Sequence, residues 1–287
     1  MTDLAEALAR AFPDLRVAPL QELATGFHSI AVETADGVVF RIPRRHGTAN
    51  GHAMEHRVLP VLAERLPAPI PRPEWRIEPG DHDFPFGAIG YRKLTGRSPE
   101  SGSPELACDL GAFLAVLHAF PLAEAEALGL QAWLEPRESL IWRRDQVLPA
   151  LANLLTPGEF RRVTAWWDAV IGGGELERFQ PVLRHGDPWY GNLLVDESGR
   201  LSGVLDWEGL EIGDPAADLA AQTYFGQPFV IAVLDHYGGV DPAFERRVAL
   251  LAQLREFGGV RISLELGDQA ELADSLGKLR AGPILTC

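Results

Sequence analysis

The sequence predicts an α+β protein with two lobes: a small N-terminal lobe built on an antiparallel sheet, residues 1–94 including the hinge, and a larger, mostly helical C-terminal lobe, residues 95–287. Before residue 95, β-branched and aromatic residues alternate with polar ones between Gly-containing turns, which is typical of an antiparallel meander. After that point, apolar residues recur at helical spacing over long segments. The chain has 287 residues, of which 46% are hydrophobic, so a sizeable core can form.

Local patterns define the elements of the N-terminal lobe. The segment "DLAEALARAF" has helical periodicity and stops before Pro13, so it predicts a first helix. The segment "VAPLQELATGFHSIAVETADGVVFRIP" predicts three strands and two turns. Residues 51–65 place Val58, Leu59 and Leu62 on one face, which predicts a helix that packs on this sheet. A further strand is predicted in "PFGAIGYRKLTGR", which runs into the link between the lobes.

The C-terminal lobe begins with a clear helix signal. Ser103 is a predicted N-cap, and Pro104 follows at the first helical position. His118, at the end of this helical pattern, is interpreted as a packed histidine rather than a ligand. Further helical patterns follow in "ESLIWRRDQVLPALANLL", "GEFRRVTAWWDAVI", "AFERRVALLAQLREFGGVRISLEL" and "AELADSLGKLR". Between the second and third of these, "PVLRHGD" and "NLLVDESGRLSGVLDWE" predict buried strands that end in polar residues.

Three polar residues stand at the ends of these strands. In "NLLVDESGRLSGVLDWE" two strands join through an Asp-Glu-Ser-Gly turn, so the residue before the first strand and the residues after the second lie at the same end of a hairpin. Asn192 and Asp206 occupy these places, and an amide oxygen with a carboxylate suits Mg²⁺. Asp187 lies beside that site as an acceptor for a hydroxyl proton. These are the groups that phosphoryl transfer requires.

The order H-x-D-x-x-x-x-N, followed by a strand-borne Asp, resembles the catalytic segment of eukaryotic-like kinases. The sequence has "HGD" where protein kinases have "HRD", and in this it resembles the aminoglycoside phosphotransferase family. "RIPRR" and "GDPAAD" are similar to the branch that contains macrolide phosphotransferases. The resemblance extends from Leu23 to about Ala221. It implies a bilobal protein-kinase-like fold and transfer of the γ-phosphate of ATP or GTP to a small-molecule hydroxyl.

The resemblance also implies a role for each residue of the segment. Asp187 is the catalytic base, Asn192 and Asp206 are the Mg²⁺ ligands, and His185 orients the loop by hydrogen bonding. A loop-capping pair is the structural alternative for Asp187 and Asn192. Glu208 is either close to the metal or an ordinary surface carboxylate.

In the N-terminal lobe, the resemblance implies a phosphate-holding cation on the third strand. This cation is commonly Lys, and the sequence has Arg41 instead, whose guanidinium binds phosphate bidentately and stays charged. Glu55 in the following helix is the expected partner of Arg41, with a surface ion pair as the alternative. Gly26 and Ser29 lie in the turn expected to cover the phosphates, although the turn is not a G-x-G-x-x-G.

The link between the lobes is expected to bind the purine. Backbone groups of Arg92, Lys93 and Leu94 would meet the base. Tyr91 stands where the link begins, a place where side-chain bulk can shift a purine between two registers. A large aromatic residue there resembles relatives that favour GTP, and an ordinary packed Tyr is the alternative.

Charge and hydropathy restrict the partners. The net charge of −14 argues against nucleic-acid binding, and no apolar run is long enough for a membrane span. The start of the chain lacks the basic region of a signal peptide, so we expect a cytoplasmic location. Residues 1–95 carry 11 Lys/Arg and 12 Asp/Glu, whereas residues 96–287 carry 15 and 28. This asymmetry indicates either a solvated surface or a cleft that attracts a cationic acceptor.

The predicted function is that of a Mg²⁺-dependent small-molecule kinase with an aminoglycoside- or macrolide-like acceptor, as in antibiotic resistance. One alternative is a metabolic kinase of the same fold that acts on a sugar, an amino alcohol or homoserine. A second is a metal-dependent hydrolase, which would need more clustered His or carboxylate ligands than this segment has. A third is a nucleotide-binding protein without catalysis.

Overall fold

The N-terminal part of the protein forms a five-stranded antiparallel sheet with two helices. The computed structural model describes residues 2–25, 29–44, 46–131, 136–238 and 240–286. The elements of this part are α1 (Thr2–Ala11), β1 (Gln21–Thr25), β2 (Ser29–Glu33), β3 (Val38–Pro43), α2 (His46–Ala63), β4 (Trp75–Ile77) and β5 (Ala88–Arg92). The strand order is β1-β2-β3-β5-β4, which confirms the predicted meander. Strand β4 is an addition to the prediction, because it follows a proline-rich connector and is held by pairing with β5.

Strand β3 places an apolar and a charged side chain on opposite faces of the sheet. Phe40 is buried in a cluster with Leu8 of α1, and its ring centroid lies 5.2 Å from that of Phe12. Because side chains alternate along a strand, Arg41 points to the other face, toward α2. There its guanidinium contacts Glu55. The alternation of β3 therefore directs this cation away from the core of the sheet.

Helix α2 connects the sheet to the C-terminal part. It contacts β3 and β5, as predicted. Its apolar face packs elsewhere, because Val58, Leu59 and Leu62 belong to a large cluster that also contains Leu110 and Trp207. The helix therefore packs on the sheet, as predicted, but its apolar stripe is buried in the cluster of the C-terminal part. On the sheet side, Arg41 pairs with Glu55 of α2.

The C-terminal part is mostly helical, with two short antiparallel strand pairs. Its elements are α3 (Pro104–His118), α4 (Leu122–Ala127), α5 (Pro136–Leu154), α6 (Pro157–Gly173), β6 (Val182–Arg184), β7 (Leu193–Val195), β8 (Leu201–Val204), β9 (Glu211–Gly213), α7 (Ala216–Ala220), α8 (Gln227–Tyr237), α9 (Pro242–Leu266), α10 (Gln269–Ala281) and α11 (Pro283–Thr286). Strand β6 pairs with β9, and β7 with β8, which confirms the predicted hairpin. The side chain of Ser103 caps α3 by accepting a hydrogen bond from the Leu106 N–H, as predicted.

Helix α9 is fixed along its length by two apolar clusters. Val248 near its start belongs to the cluster around α3 and α8, and Phe257 belongs to a second cluster that contains Trp167 of α6. Burial of each such side chain contributes about 1.5–3 kcal/mol. The middle of α9 is therefore held at a defined place against α7 and α10. Among the described residues, every helix is too short or too polar to cross a membrane.

Candidate active site

Two loops of the C-terminal part meet beside the N-terminal sheet. The HGD loop, residues 185–192, connects β6 to β7, and the DWE loop, residues 205–209, follows β8. The β7–β8 hairpin joins them, and the Leu205 N–H donates to the Asn192 carbonyl at 2.7 Å. Asn192 and Asp206 therefore lie at the same end of the hairpin, as the sequence predicts.

His185 holds the two loops together. Its ring is fully buried, its Nε2 donates to the Leu205 carbonyl at 2.9 Å, and its Nδ1 accepts from the Asp187 N–H at 3.2 Å. These two bonds require the neutral tautomer with the proton on Nε2. Burial lowers the pKa of His185, which agrees with a neutral ring. The ring therefore fixes the backbone of Asp187 relative to the DWE loop.

Asp218 of α7 fixes the start of the HGD loop from the opposite side. Its carboxylate accepts hydrogen bonds from the His185 N–H and the Gly186 N–H, each at 2.8 Å. Its Oδ2 also lies 3.1 Å from Nε2 of His118. Burial alone would raise the pKa of Asp218, but the hydrogen bond with His118 and nearby positive charge lower it to about 2. His118 is thus a buried structural histidine, as interpreted from the sequence.

The backbone conformation at position 186 favours glycine, the middle residue of the HGD sequence. The φ of Gly186 is 94°, in the region that favours glycine. A Cβ on Gly186 would also collide with the backbone carbonyl of Gly209 in the DWE loop. The two loops therefore approach each other backbone to backbone, and a side chain at position 186 would force them apart.

Asp187, Asn192 and Asp206 offer oxygen atoms at the surface where the loops meet. The Asp187 side chain is 49% exposed, and that of Asp206 is 51% exposed. The Asn192 Nδ2 donates to the Asp187 carbonyl at 2.9 Å, which leaves the amide oxygen for another partner. Asp206 has a φ of 60°, a conformation that costs a non-glycine residue about 1–3 kcal/mol and is typical of functional sites. This set of oxygen donors fits Mg²⁺.

Arg41 extends from β3 to the DWE loop. Its Nη1 donates to both oxygens of Glu55, at 3.0 and 2.8 Å, and its Nη2 donates to Asp206 at 3.0 Å and to Glu208. Arg41 and Glu55 are buried, so the alternative of a surface ion pair is wrong. Burial alone would lower the pKa of Arg41, but the carboxylates around it raise that pKa and keep the guanidinium charged.

Glu208 is a site residue whose position the sequence left undecided. Its side chain is 19% exposed, so it is not an ordinary surface carboxylate. Its Oε1 accepts a hydrogen bond from Ser29 Oγ at 2.8 Å and lies 3.4 Å from His52 Nε2. Burial opposes ionisation, but the hydrogen bond with His52 and the charge of Arg41 lower the pKa of Glu208 to about 2. Gly26, also expected in this turn, lies outside the described residues.

A cation from α9 contacts Asp187. Arg255 Nη2 lies 2.8 Å from Asp187 Oδ1, and the Arg255 side chain is 23% exposed. The guanidinium also stands 5.4 Å from the ring centroid of Tyr224, and Lys278 Nζ stands 4.9 Å from the same centroid. Sequence reasoning missed Arg255, because the periodicity of α9 does not show which of its residues meets the HGD loop.

The segment expected to bind the purine leaves the sheet with part of its backbone already bonded. The Lys93 N–H donates to the Gly37 carbonyl at 2.9 Å, and the Arg92 side chain donates to a carbonyl of the same turn. The Leu94 backbone has no hydrogen-bond partner within the described ranges. Tyr91 is buried, and burial raises the pKa of its hydroxyl to about 12. The Lys93 N–H is therefore already used within the protein, whereas the Leu94 backbone stays open to a partner.

The chain resembles other proteins in sequence, one of them a phosphotransferase. The uncharacterized protein YcbJ of Bacillus subtilis (strain 168) is 25% identical over 242 residues, which are 77% of this chain and 74% of that protein. Viomycin phosphotransferase of Streptomyces vinaceus is 36% identical over 109 residues, which are 37% of this chain and 38% of that protein.

Solved structures share the fold. The GDP and kanamycin complex of APH(2")-IIia superposes with a TM-score of 0.87 at 23% identity and covers 98% of both chains. Macrolide 2'-phosphotransferase MphH from Brachybacterium faecium has a TM-score of 0.71 at 24% identity, over 97% of this chain and 98% of that one. The bilobal kinase-like fold implied by the HGD segment is thereby confirmed. Residues 19–256 match the phosphotransferase enzyme family, and the chain therefore belongs to this family of enzymes, which transfer phosphate to hydroxyl groups.

Proposed function

We propose that the protein is a Mg²⁺-dependent kinase that transfers the γ-phosphate of ATP or GTP to a hydroxyl of an aminoglycoside- or macrolide-like acceptor. The observation that carries this proposal is the convergence of Asp187, Asn192 and Asp206 on two loops that His185 joins. The acceptor class is supported by the kanamycin bound to APH(2")-IIia and by the macrolide named for MphH. The triphosphate co-substrate agrees with the expected cytoplasmic location.

The side chains of the proposed site divide the work of phosphoryl transfer. The Asp187 carboxylate accepts the proton of the acceptor hydroxyl, whose oxygen attacks the γ-phosphorus while the bond to the β-phosphate oxygen breaks. Arg41 donates hydrogen bonds to phosphate oxygens. Asn192 and Asp206 would hold Mg²⁺, which supplies neutralisation of the phosphate charge. Catalysis therefore consists mainly of positioning and charge neutralisation.

The acceptor has to approach Asp187 beside Arg255 and a group of aromatic rings. The ring centroids of Trp189 and Tyr190 are 4.6 Å apart, and that of Tyr224 lies 6.3 Å from Tyr190. Such rings offer flat apolar surface to a sugar or macrocycle. Arg255 occupies the side of Asp187 where an acceptor ammonium would otherwise pair. A cationic acceptor is therefore expected to hold its amine away from the reacting hydroxyl.

A nucleotide-consumption screen tests the proposed function. Aminoglycosides, macrolides and small metabolites would be incubated with Mg²⁺ and ATP or GTP, and phosphorylated products would be detected by mass. A phosphorylated antibiotic supports the proposal, and a phosphorylated sugar, amino alcohol or homoserine would assign the protein to metabolism. Release of inorganic phosphate from other esters, without a phosphorylated acceptor, would contradict a kinase.

Replacing Tyr91 by Ala is expected to change the ratio of kcat/KM for GTP to that for ATP by about tenfold, because the bulk that sets the purine register is removed. Tyr91 is buried, so the variant will also be less stable. The ratio is independent of the amount of folded enzyme and is therefore the quantity to measure. Tyr91→Phe keeps the ring and serves as the control. An unchanged ratio would mean that Tyr91 is only a packing residue.

The acceptor is expected to be a cation whose kcat/KM falls as salt rises. Residues 96–287 carry 28 Asp/Glu against 15 Lys/Arg. An acidic cleft attracts amines, and at ordinary ionic strength salt limits the range of this attraction to about 8–10 Å. The measurement compares kcat/KM from about 0.05 to 0.5 M salt, corrected for the effect of salt on nucleotide binding. A best acceptor that is neutral or anionic and insensitive to salt would show that the acidity is only a solvated surface.

A further inference from the structure

The two ends of the Arg41 guanidinium contact different parts of the chain. Nη1 donates to both oxygens of Glu55, on α2. Nη2 donates to Asp206 and Glu208, which lie on the DWE loop. A guanidinium can do this because its planar fork carries separate nitrogen donors, whereas a lysine ammonium is a single compact charge. Arginine at position 41 therefore bridges α2 and the DWE loop.

Glu208 extends this bridge to the start of β2. The same oxygen that contacts Arg41 accepts a hydrogen bond from Ser29 Oγ at 2.8 Å. His52 Nε2 lies 3.4 Å from it. Glu208 thus contacts residues of β2, β3 and α2, although it belongs to the loop after β8. None of these contacts involves the HGD loop.

A phosphate oxygen that binds Nη2 of Arg41 has to replace one of the two contacts of that nitrogen. Asp206 is 51% exposed, and Arg41 is its hydrogen-bond partner among the described side chains. Glu208 is 19% exposed and has Ser29 as a second donor. The Asp206 contact is therefore the easier one to exchange. The Glu208 contact remains and keeps the guanidinium in place while a phosphate oxygen replaces Asp206.

We propose that Glu208 is a positioning residue for Arg41: it holds the second amino group of the guanidinium and ties it to Ser29, and this makes an arginine effective in triphosphate binding. The inference rests on the proposed function, because it concerns the nucleotide of that reaction. It predicts that replacing Glu208 weakens triphosphate binding only when residue 41 is an arginine. With lysine at position 41, Glu208 loses this partner.

A metal site is the competing interpretation of this cluster. Ligand atoms of His52, Glu55 and Glu208 lie within 4.8 Å of one another. The guanidinium of Arg41 already contacts both carboxylates, so the site contains its own cation. A direct metal contact of Glu208 would not depend on whether residue 41 is Arg or Lys, and this difference separates the two interpretations.

The test is a double-mutant cycle of Glu208→Gln and Arg41→Lys, measured as the Kd of Mg·ATP, Mg·GTP, adenosine and guanosine by calorimetry. In the wild-type background, Glu208→Gln is expected to weaken triphosphate binding about tenfold and nucleoside binding less than about twofold. In the Arg41→Lys background the same change should weaken triphosphate binding less than about threefold. Glu197→Gln, an exposed acid in the β7–β8 turn, is the matched control.

Each other outcome overturns the inference. An equal loss in both backgrounds indicates a direct contact with metal or phosphate, and an equal loss for nucleosides indicates a general structural role. An unchanged Kd indicates a solvated carboxylate. If the wild-type protein binds no triphosphate, the proposed function fails. The contacts of Glu208 with Arg41 and Ser29 can then still be tested by amide hydrogen exchange of the nucleotide-free protein. Glu208→Gln and Ser29→Ala should then both speed exchange in β2, and unchanged exchange would contradict the bridge.

Discussion

Replacing Asp187 by Asn is expected to lower kcat about 10²–10⁴-fold, because an amide has the shape of the carboxylate but does not accept the hydroxyl proton. The fold should persist, since the loop is held by His185, Asp218 and Gly186 through bonds that do not use the Asp187 carboxylate. Loss of the half-exposed pair with Arg255 should change the free energy of unfolding by less than about 1 kcal/mol. Nucleotide affinity should stay within about twofold.

The experiment combines steady-state kinetics on an acceptor from the screen with calorimetric Kd values for Mg·ATP and Mg·GTP. Asp235→Asn, an exposed aspartate on α8, is the matched control and should behave as wild type. A folded Asp187→Asn protein that phosphorylates the acceptor at near the wild-type rate would remove Asp187 as the base. The loop-capping alternative would then be the better description.

Removal of the Arg41 side chain is expected to have the largest effect on stability. Arg41→Ala leaves Glu55 fully buried without its bidentate partner, and breaking a buried pair in this way costs about 3–5 kcal/mol. Glu208 also loses its cation. The midpoint of urea denaturation should therefore fall strongly. Arg16→Ala, whose exposed side chain pairs with Asp36, should cost less than about 1 kcal/mol.

The same variant tests the contact between Arg41 and the phosphates. For the folded fraction of Arg41→Ala, the Kd of Mg·ATP should rise far more than the Kd of adenosine, because the guanidinium interacts with phosphate oxygens and not with the purine. Arg41→Lys, which keeps a charge opposite Glu55, should recover part of the stability and part of the triphosphate affinity. Equal weakening for adenosine and Mg·ATP would assign Arg41 a structural role only.

The parts of the fold that were predictable are those with a local signal. Alternation in β2 and β3, the N-cap Ser103 and the turn of the β7–β8 hairpin each leave a pattern within a few residues, and hydrogen bonds form where those patterns predict. Strand β4 has no such pattern because its pairing with β5 defines it. The partner of the apolar stripe of α2 was not predicted for a related reason: a helical stripe shows that a face is buried but not which surface covers it.

The residues of the candidate site also differ in whether a local sequence pattern marks them. Asp187, Asn192 and Asp206 were candidates from the sequence because their spacing resembles that of the kinase catalytic segment. The place of Glu208 was left undecided and Arg255 was missed, because each contacts a residue far away in the chain: Glu208 contacts Arg41, and Arg255 contacts Asp187. Their positions depend on how the DWE loop and α9 pack. The net charge of residues 96–287 likewise gave no sign that a cation stands next to Asp187.

The contact between Gly186 and Gly209 has a consequence for how such an enzyme can diversify. Gly186 has no room for a side chain beside the Gly209 carbonyl, so in this chain the two loops keep a fixed backbone separation. Tyr224 and Arg255, which contact each other near Asp187, lie instead on a short 3₁₀ helix and on α9. We therefore expect changes in these two elements to alter the choice of acceptor without changing the separation of the HGD and DWE loops.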